Sequence, residues 1–137
     1  MFELDASIGV IIKDCEAKYP EEACGYVYKN GKVVICENII SQLNQLSPDR
    51  YSRTTKNGYA FSQKDIIGLN KSLDTDNPIV LIYHSHPDAG AYFSAEDQHK
   101  AVISGFPVYP VQHLVVSVID GIAKDRKIFS FNGNKYL

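Results

Sequence analysis

Cysteine is scarce in this sequence, and the cysteines present form neither a metal-binding nor a disulfide pattern. Cys15, Cys24 and Cys36 are odd in number and contain no Cys-x-x-Cys pair. A disulfide framework normally uses an even set of cysteines, and a cysteine zinc site uses closely spaced pairs. We therefore expect reduced and mostly buried thiols. A nucleophilic role for Cys24 stays open, because it would need a basic partner that the sequence does not locate.

The sequence also lacks long apolar runs and an excess of positive charge. No stretch approaches the roughly 20 apolar residues that cross a bilayer, and residues 1–10 lack the basic and apolar regions of a signal peptide. The formal net charge is -2, and the lysines and arginines are scattered along the chain. Binding to a phosphate backbone requires a basic surface. We therefore expect a cytoplasmic protein without a membrane or nucleic-acid partner.

The composition is that of a folded globular domain. Hydrophobic residues make up 45% of the chain and charged residues 22%, which excludes general disorder. The 137 residues are enough for one compact domain, 1–137, and too few for two domains of ordinary size.

Hydrophobic periodicity predicts three helices and five strands. The first helix follows from apolar residues at helical spacing that begin with Leu4. A Ser-x-x-Asp pattern at Ser62 predicts the start of the second helix, and an Asn-Gly pair at 30–31 predicts a hairpin. The predicted elements are helix 5–18, strand 23–28, strand 32–39, helix 63–73, strand 79–86, a helix from Ser94 to near Gly105, strand 113–120 and strand 127–133.

The segment between the second predicted strand and the second predicted helix differs from its surroundings. From Ser41 to Tyr59 it is polar and has few apolar anchors. This composition predicts a long exposed loop. Because long loops in compact domains are often functional, we expect this one to shape a substrate groove.

Two histidines stand at the end of the most apolar predicted strand. His84 and His86 are two positions apart, so the strand period places both on one face, with Ser85 on the other. Asp97 follows in the first turn of the next helix, after a loop that contains proline and glycine. Two imidazoles and a carboxylate suit zinc and leave a fourth position for water. Alternatively, the histidines are ordinary hydrogen-bonded residues, and Ser94-x-x-Asp97 is only a helix capping box.

Other zinc-hydrolase patterns match poorly. Nucleobase deaminases need His-x-Glu with a downstream Pro-Cys-x-x-Cys, zincins need His-Glu-x-x-His, and neither occurs. The run "HSHPD" is similar to the His-x-His-x-Asp-His run of metallo-β-lactamase-like hydrolases, but position 89 is alanine and the chain is short for that fold.

The full pattern resembles the motif of the JAMM (MPN+) zinc metalloproteases. The resemblance rests on His84-Ser85-His86, seven further residues, Ser94, two residues and Asp97, together with "YPEEACGYVY" at 19–28, which is similar to the family's Pro-x-Glu-x-Cys-Gly strand. It covers most of the chain and is greatest to the small stand-alone prokaryotic members. It implies an α/β (α+β) fold of the cytidine-deaminase-like MPN/JAMM type, with a mixed β-sheet flanked by helices.

The resemblance also implies a role for each motif residue. One Zn²⁺ per chain would be bound by His84, His86 and Asp97. Glu22 would be the general acid/base, because the family places this glutamate two residues before Cys-Gly, and the neighbouring Glu21 would be a solvated charge. Ser94 would stabilise the oxyanion that develops on the substrate.

Several other residues receive weaker assignments. Ser85 and Cys24 are expected to support the site, and Tyr92 and Phe93 either line a substrate groove or belong to the core or rim. Structural or surface roles are expected for four more residues: Asp88 as a loop cap, Glu96 and His99 on the surface, and His113 in a structural hydrogen bond.

The resemblance implies a zinc metallopeptidase, an isopeptidase or deubiquitinase-like hydrolase that cleaves at the C-terminus of a ubiquitin-like or sulfur-carrier protein. One alternative is a phage-tail or cell-wall peptidase domain of the same family. Another is a non-catalytic MPN scaffold, although such modules typically lose the metal ligands, which are all present here. A homo-oligomer remains an open alternative to a monomer.

Overall fold

A computed structural model describes residues 5–137, so the helical position predicted for Leu4 lies outside the described residues. The helices are α1 (Asp5–Lys18), α2 (Ile40–Leu46), α3 (Gln63–Ser72) and α4 (Ala95–Ala101). The strands are β1 (Cys24–Tyr28), β2 (Val33–Cys36), β3 (Ile79–Pro87), β4 (Val102–Ile103), β5 (Phe106–Pro107), β6 (Gln112–Ile119) and β7 (Ile122–Phe129). Within residues 5–137, no helix combines the length and the apolar character needed to pass through a bilayer.

Five strands form one mixed sheet in the order β2-β1-β3-β6-β7. The β3–β6 pair is parallel, and the other three pairs are antiparallel. Strands β4 and β5 form a separate two-stranded hairpin. The predicted fold class, a mixed sheet flanked by helices, is therefore confirmed.

The central strand β3 is covered on both faces, as its continuous apolar run predicts. Leu81 and Tyr83 pack on one face with Ile11 of α1. Ile82 packs on the other face with Leu69 of α3. Fully burying an aliphatic side chain of this size contributes roughly 1.5–3 kcal/mol. The two cores hold the C-terminal end of β3, where the histidines lie, in a fixed position.

The first hairpin agrees with the sequence prediction. Gly31 has φ 93°, and Tyr28 N donates to Lys32 O at 2.9 Å. The last hairpin does not agree, because the final strand lies at Ile122–Phe129 and not at 127–133. Asp120 and Gly121 have φ 50° and 81°, which is the conformation of a tight hairpin turn. The prediction was wrong because β7 is an edge strand with mostly charged, exposed residues and gives no apolar alternation.

Three other boundaries differ from the prediction, and one of them is the end of β2, which lies at Cys36 and not at 39. The segment 41–59 is not a continuous loop, because α2 occupies Ile40–Leu46 and buries Ile40. A helix of seven residues with one buried anchor leaves little periodic signal. The helix that follows Ser94 ends at Ala101, and Ser104 and Gly105 turn the β4–β5 hairpin with φ 53° and 81°.

Candidate functional site

His84 and His86 converge at the C-terminal end of β3. Their side chains lie on one face of the strand, with ring centroids 5.0 Å apart and the two Nε2 atoms 3.2 Å apart. His84 is completely buried and His86 nearly so. The expected period of two therefore brings both Nε2 atoms to the same point.

Asp97 closes this cluster from the first turn of α4. Its Oδ1 lies 3.2 Å from His84 Nε2, and its Oδ2 lies 3.3 Å from His86 Nε2. A capping box holds the carboxylate in place, because Asp97 N donates to Ser94 Oγ and Ser94 N donates to Asp97 Oδ2, both at 3.0 Å. The two alternatives in the sequence, a helix cap and a metal ligand, are thus compatible in one arrangement.

The donor spacing fits a single small cation. The three ligand atoms all lie within 4.8 Å of one another, and the contacts above are 3.2 and 3.3 Å. Zinc–nitrogen bonds of about 2.0–2.1 Å at tetrahedral angles place neighbouring donors about 3.4 Å apart. His84, His86 and Asp97 therefore form a group that could hold a metal ion, and the donor types suit zinc as well as other divalent metals.

The pKa values of His84 and Asp97 shift in the directions that suit ligation, whereas the pKa of His86 is raised. Burial alone would lower the pKa of His86, but its hydrogen bonds with Asp97 and Gly90 outweigh burial. Burial lowers the pKa of His84, so its imidazole is neutral. Burial alone would raise the pKa of Asp97, but hydrogen bonds with His84 and His86 outweigh it and hold that pKa well below its usual range. Neutral imidazoles and an ionised carboxylate are the forms that bind metals.

The loop after β3 orients His86. His86 Nδ1 lies 2.9 Å from Gly90 O, so a proton on Nδ1 leaves Nε2 free as a ligand atom. The loop is anchored by Ser117 Oγ, which donates to Ala89 O at 2.5 Å. Asp120 N donates to Asp88 Oδ1 at 3.1 Å, in agreement with a loop-cap role for Asp88.

His84 is held mainly by stacking. Its ring lies parallel to that of Tyr59, with centroids 4.7 Å apart and an interplanar angle of 25°. Its Nδ1 is buried and has no hydrogen-bond partner among the described residues. No pattern in the sequence indicated Tyr59, because this residue lies in the polar segment interpreted as a loop.

Glu22 is brought beside the histidines by strand pairing. Strand β1 runs antiparallel to β3 with Cys24 opposite His84. Ala23 N donates to Ser85 Oγ at 2.8 Å, and Ser85 N donates to Ala23 O at 3.1 Å. Residue Glu22 is 6% exposed and lines the same cavity as His86. Residues separated by more than sixty positions in the chain are therefore direct neighbours.

The two consecutive glutamates differ in environment. Both precede β1, which begins at Cys24. Glu21 is exposed, and its Oε1 accepts from Thr55 Oγ1 at 2.8 Å. Burial raises the pKa of Glu22 to about 7, with a further increase from the charge of Asp97 and an opposing effect of His86. A carboxyl group with this pKa can exchange a proton near neutral pH.

A cavity of about 420 Å³ opens beside the cluster. Among the predicted site residues, those that line it are Glu22, His86, Tyr92, Ser94 and Asp97. It is also lined by the cationic residues Arg50, Arg53, Lys56 and Lys100, which the sequence analysis did not identify. Lys100 follows Asp97 by three positions on α4, and helical spacing could have placed it near the site.

Phe93, His113 and Cys24 lie away from the cavity lining. Phe93 packs against His113 and Tyr136 with centroids 5.1 and 5.3 Å away, which corresponds to its alternative core role. The hydrogen bond expected for His113 is not found at its buried Nδ1 among the described residues. Cys24 is buried below His84, and burial raises the pKa of its thiol to about 12, which disfavours a nucleophilic role.

Comparison with known proteins gives a family match and fold matches to several solved structures. The family model described as prokaryotic homologs of the JAB domain matches residues 5–131. A search of curated proteins gave no match. A solution structure from Desulfitobacterium hafniense superposes with a TM-score of 0.61 at 16% identity, covering 96% of this chain and 84% of that chain. One from Salinibacter ruber gives 0.57 at 21% identity, covering 100% and 87%.

Proposed function

The chain belongs to the family of prokaryotic homologs of the JAB domain, and from this premise we propose that it is a zinc-dependent peptidase. The proposed reaction is hydrolysis of a peptide or isopeptide bond at the C-terminus of a ubiquitin-like or sulfur-carrier protein. The observation that carries the proposal is the convergence of His84, His86 and Asp97 beside a buried carboxylate, Glu22, at one cavity.

His84, His86 and Asp97 would hold the ion, which when bound would supply an activated water and polarise the scissile carbonyl. Glu22 would accept the proton of that water and deliver it to the leaving amine. Water thereby adds its oxygen to the carbonyl carbon, the C–N bond breaks, and the amine leaves protonated. The pKa of about 7 of Glu22, caused by burial, supports transfer in both directions before the effect of a metal ion is considered.

Ser94 would stabilise the oxyanion on the substrate. Its Oγ already accepts from Asp97 N at 3.0 Å, and its own hydroxyl proton remains available at the cavity wall. A donor at this place can contribute on the order of 3 kcal/mol to the transition state. The helix cap would thus serve both the metal ligand and the reaction.

The family and the shape of the site both favour a protein substrate. Tyr51 and Asn57 of the segment 41–59, and Tyr92 of the loop after β3, border the cavity, which is accessible from outside. An extended, glycine-rich C-terminal tail has little side-chain bulk and can enter such a cavity, whereas a folded surface cannot. We therefore favour the flexible terminus of a ubiquitin-like protein as the segment that is cut.

The test is incubation of the zinc-loaded protein with a ubiquitin-like protein that ends in Gly-Gly and carries a short C-terminal extension. Mass spectrometry should detect release of the extension, and a chelator or Glu22→Gln should prevent it. Cleavage of cell-wall peptides with no cleavage of the extended protein would favour the cell-wall peptidase alternative. Zinc binding without hydrolysis of either substrate would favour a scaffold role.

A further inference from the structure

Several positively charged side chains line the cavity, although the chain has a net charge of -2. The four cationic lining residues are Arg50, Arg53, Lys56 and Lys100, and the three acidic ones are Glu22, Glu96 and Asp97. Two of these acids, Glu22 and Asp97, belong to the proposed catalytic centre, where a divalent cation would offset their charge. The cations therefore face a site that holds little remaining negative charge.

Arg53 is fixed by the backbone and only weakly by an acid. Its Nη1 donates to Asn57 O at 3.0 Å, and Thr54 N donates to Asn57 Oδ1 at 2.9 Å, which shapes the turn. Its Nη2 is 3.9 Å from Glu96 Oε2, a long and exposed contact. Exposed ion pairs of this kind contribute little to stability, so most hydrogen-bond donors of the guanidinium group remain available to a ligand. A Cβ at Gly58 would lie 3.0 Å from Arg53 Cβ, so the glycine leaves space for the arginine.

The segment that carries Arg53 is attached to Glu22. The Glu22 backbone N donates to Thr55 O at 2.6 Å, and Thr55 N donates to Ser41 Oγ at 2.9 Å. In the proposed reaction Glu22 protonates the leaving amine. Arg53 and Glu22 line the same cavity, so the attached segment places a cation within reach of a leaving group that Glu22 would protonate.

Lys100 provides a second fixed cation. Its Nζ donates to Tyr59 O and lies 3.4 Å from the centroid of the Tyr59 ring. It takes part in none of the ion pairs formed among residues 5–137. Burial lowers the pKa of Lys100 to about 8, so at neutral pH most of the ammonium remains charged and can bind a nearby anion.

From this arrangement we infer that the leaving group of the substrate carries a carboxylate, which Arg53 and Lys100 bind. The carboxylate is either the free α-carboxylate of a departing amino acid or an acidic side chain next to the scissile bond. The inference rests on the proposed peptidase function, because it assigns these cations to the leaving group. Charge-assisted hydrogen bonds from a guanidinium to a carboxylate are stronger and more directional than neutral ones.

The test is calorimetric binding of four peptides to the zinc-loaded Glu22→Gln protein, in which the peptides are not consumed. The first pair is acetyl-Gly-Gly-Ala as the free acid and as the amide. The second pair is acetyl-Gly-Gly-Asp-amide and acetyl-Gly-Gly-Asn-amide. We expect the charged member of at least one pair to bind about tenfold more tightly than its neutral partner. The pair that responds distinguishes a terminal carboxylate from an acidic side chain.

Three further substitutions in the Glu22→Gln protein test whether Arg53 and Lys100 cause the preference for the charged peptide. Arg53→Gln and Lys100→Gln should each reduce the affinity ratio, and Lys100→Arg should retain most of it. Lys127→Gln, at an exposed position of β7 outside the cavity, is the matched control and should leave the ratio unchanged. Zinc content is measured for every variant.

Equal affinity within both pairs, or no binding of any peptide, would overturn the inference. So would a preference that persists in both glutamine variants, because the carboxylate would then be bound by the metal ion. Failure of the peptidase proposal would look different. The unsubstituted, zinc-loaded protein would hydrolyse no extended ubiquitin-like protein, while the charge-dependent preference in binding would still be measured.

Discussion

Ser85 and Ala23 exchange two hydrogen bonds across the junction of β1 and β3. Ala23 N donates to Ser85 Oγ at 2.8 Å, and Ser85 N donates to Ala23 O at 3.1 Å. Ser85 stands between the two histidines in the chain, and Ala23 follows Glu22. The serine of the His-Ser-His run therefore joins the strand that carries the imidazoles to the segment that carries the buried carboxylate.

Replacing Ser85 with alanine should destabilise the protein and displace Glu22. The substitution leaves the buried Ala23 N–H without its side-chain acceptor, which costs about 1–3 kcal/mol. Chemical denaturation should report this loss in the free energy of unfolding. Ser130→Ala, at an exposed position, is the control and should change stability by less than about 0.5 kcal/mol. Equal stability of both variants would remove the structural role of Ser85.

Glu22→Gln should reduce hydrolysis about 10²- to 10⁴-fold while zinc remains bound, because a general acid/base contributes on this order. Zinc content and turnover are measured on the same sample. Glu21→Gln is the matched control, since Glu21 is exposed and contacts Thr55 rather than the cavity. Loss of zinc from Glu22→Gln, or full activity, would assign the role to another group.

Ser117→Ala should weaken metal binding about tenfold, although Ser117 is not one of the proposed metal ligands. Ser117 Oγ donates to Ala89 O, and this bond steadies the loop whose Gly90 carbonyl orients His86. Partners that orient metal ligands typically affect affinity by this amount or more. Competition with a chromophoric chelator measures the affinity. An unchanged zinc affinity would show that the loop is held adequately by its other contacts.

His113→Leu should make the stability of the metal-free protein less sensitive to acid. Burial, with a smaller contribution from His84, lowers the pKa of His113 to about 3. In the unfolded chain a histidine binds a proton below pH about 6.5. Between about pH 3 and pH 6.5 the unfolded state therefore binds more protons than the folded state. The stability contributed by neutral His113 is present above that range and is lost as the pH falls, by up to about 1.4 kcal/mol per pH unit.

Urea denaturation in the presence of a chelator, at several values between about pH 7 and pH 5, measures this effect. The remaining titratable groups are common to both proteins, so the difference between the two slopes reports His113. Parallel pH dependences in the two proteins would contradict the assignment of His113 as a buried, neutral residue.

The sequence predicted the parts of the site that depend on local periodicity. The strand period put His84 and His86 on one face, and the Ser-x-x-Asp spacing put Asp97 in the first helical turn. The pairing of the Glu22 segment with β3 is a long-range contact, which no spacing reveals, and only the resemblance to a known motif indicated Glu22.

Physical reasons explain why some features were not predicted from the sequence. Helix α2 has one buried anchor, and β7 is a charged edge strand, so neither gives a clear apolar pattern. Tyr59 and Arg53 reach the site because side-chain and backbone contacts hold the segment around them. Among these contacts, Asn38 donates to Glu22 O at 3.0 Å and to Gly58 O at 2.9 Å. Such side-chain contacts across the chain have no signature in local composition.

The central claim is that β3 and α4 build a metal centre beside Glu22. Its most direct test is a crystal structure of the zinc-loaded protein with anomalous diffraction at the zinc edge. We predict one Zn²⁺ per chain, bound by His84 Nε2, His86 Nε2 and an Asp97 carboxylate oxygen, each at about 2.0–2.2 Å. An anomalous peak at another place, or none at these three residues, would contradict the account.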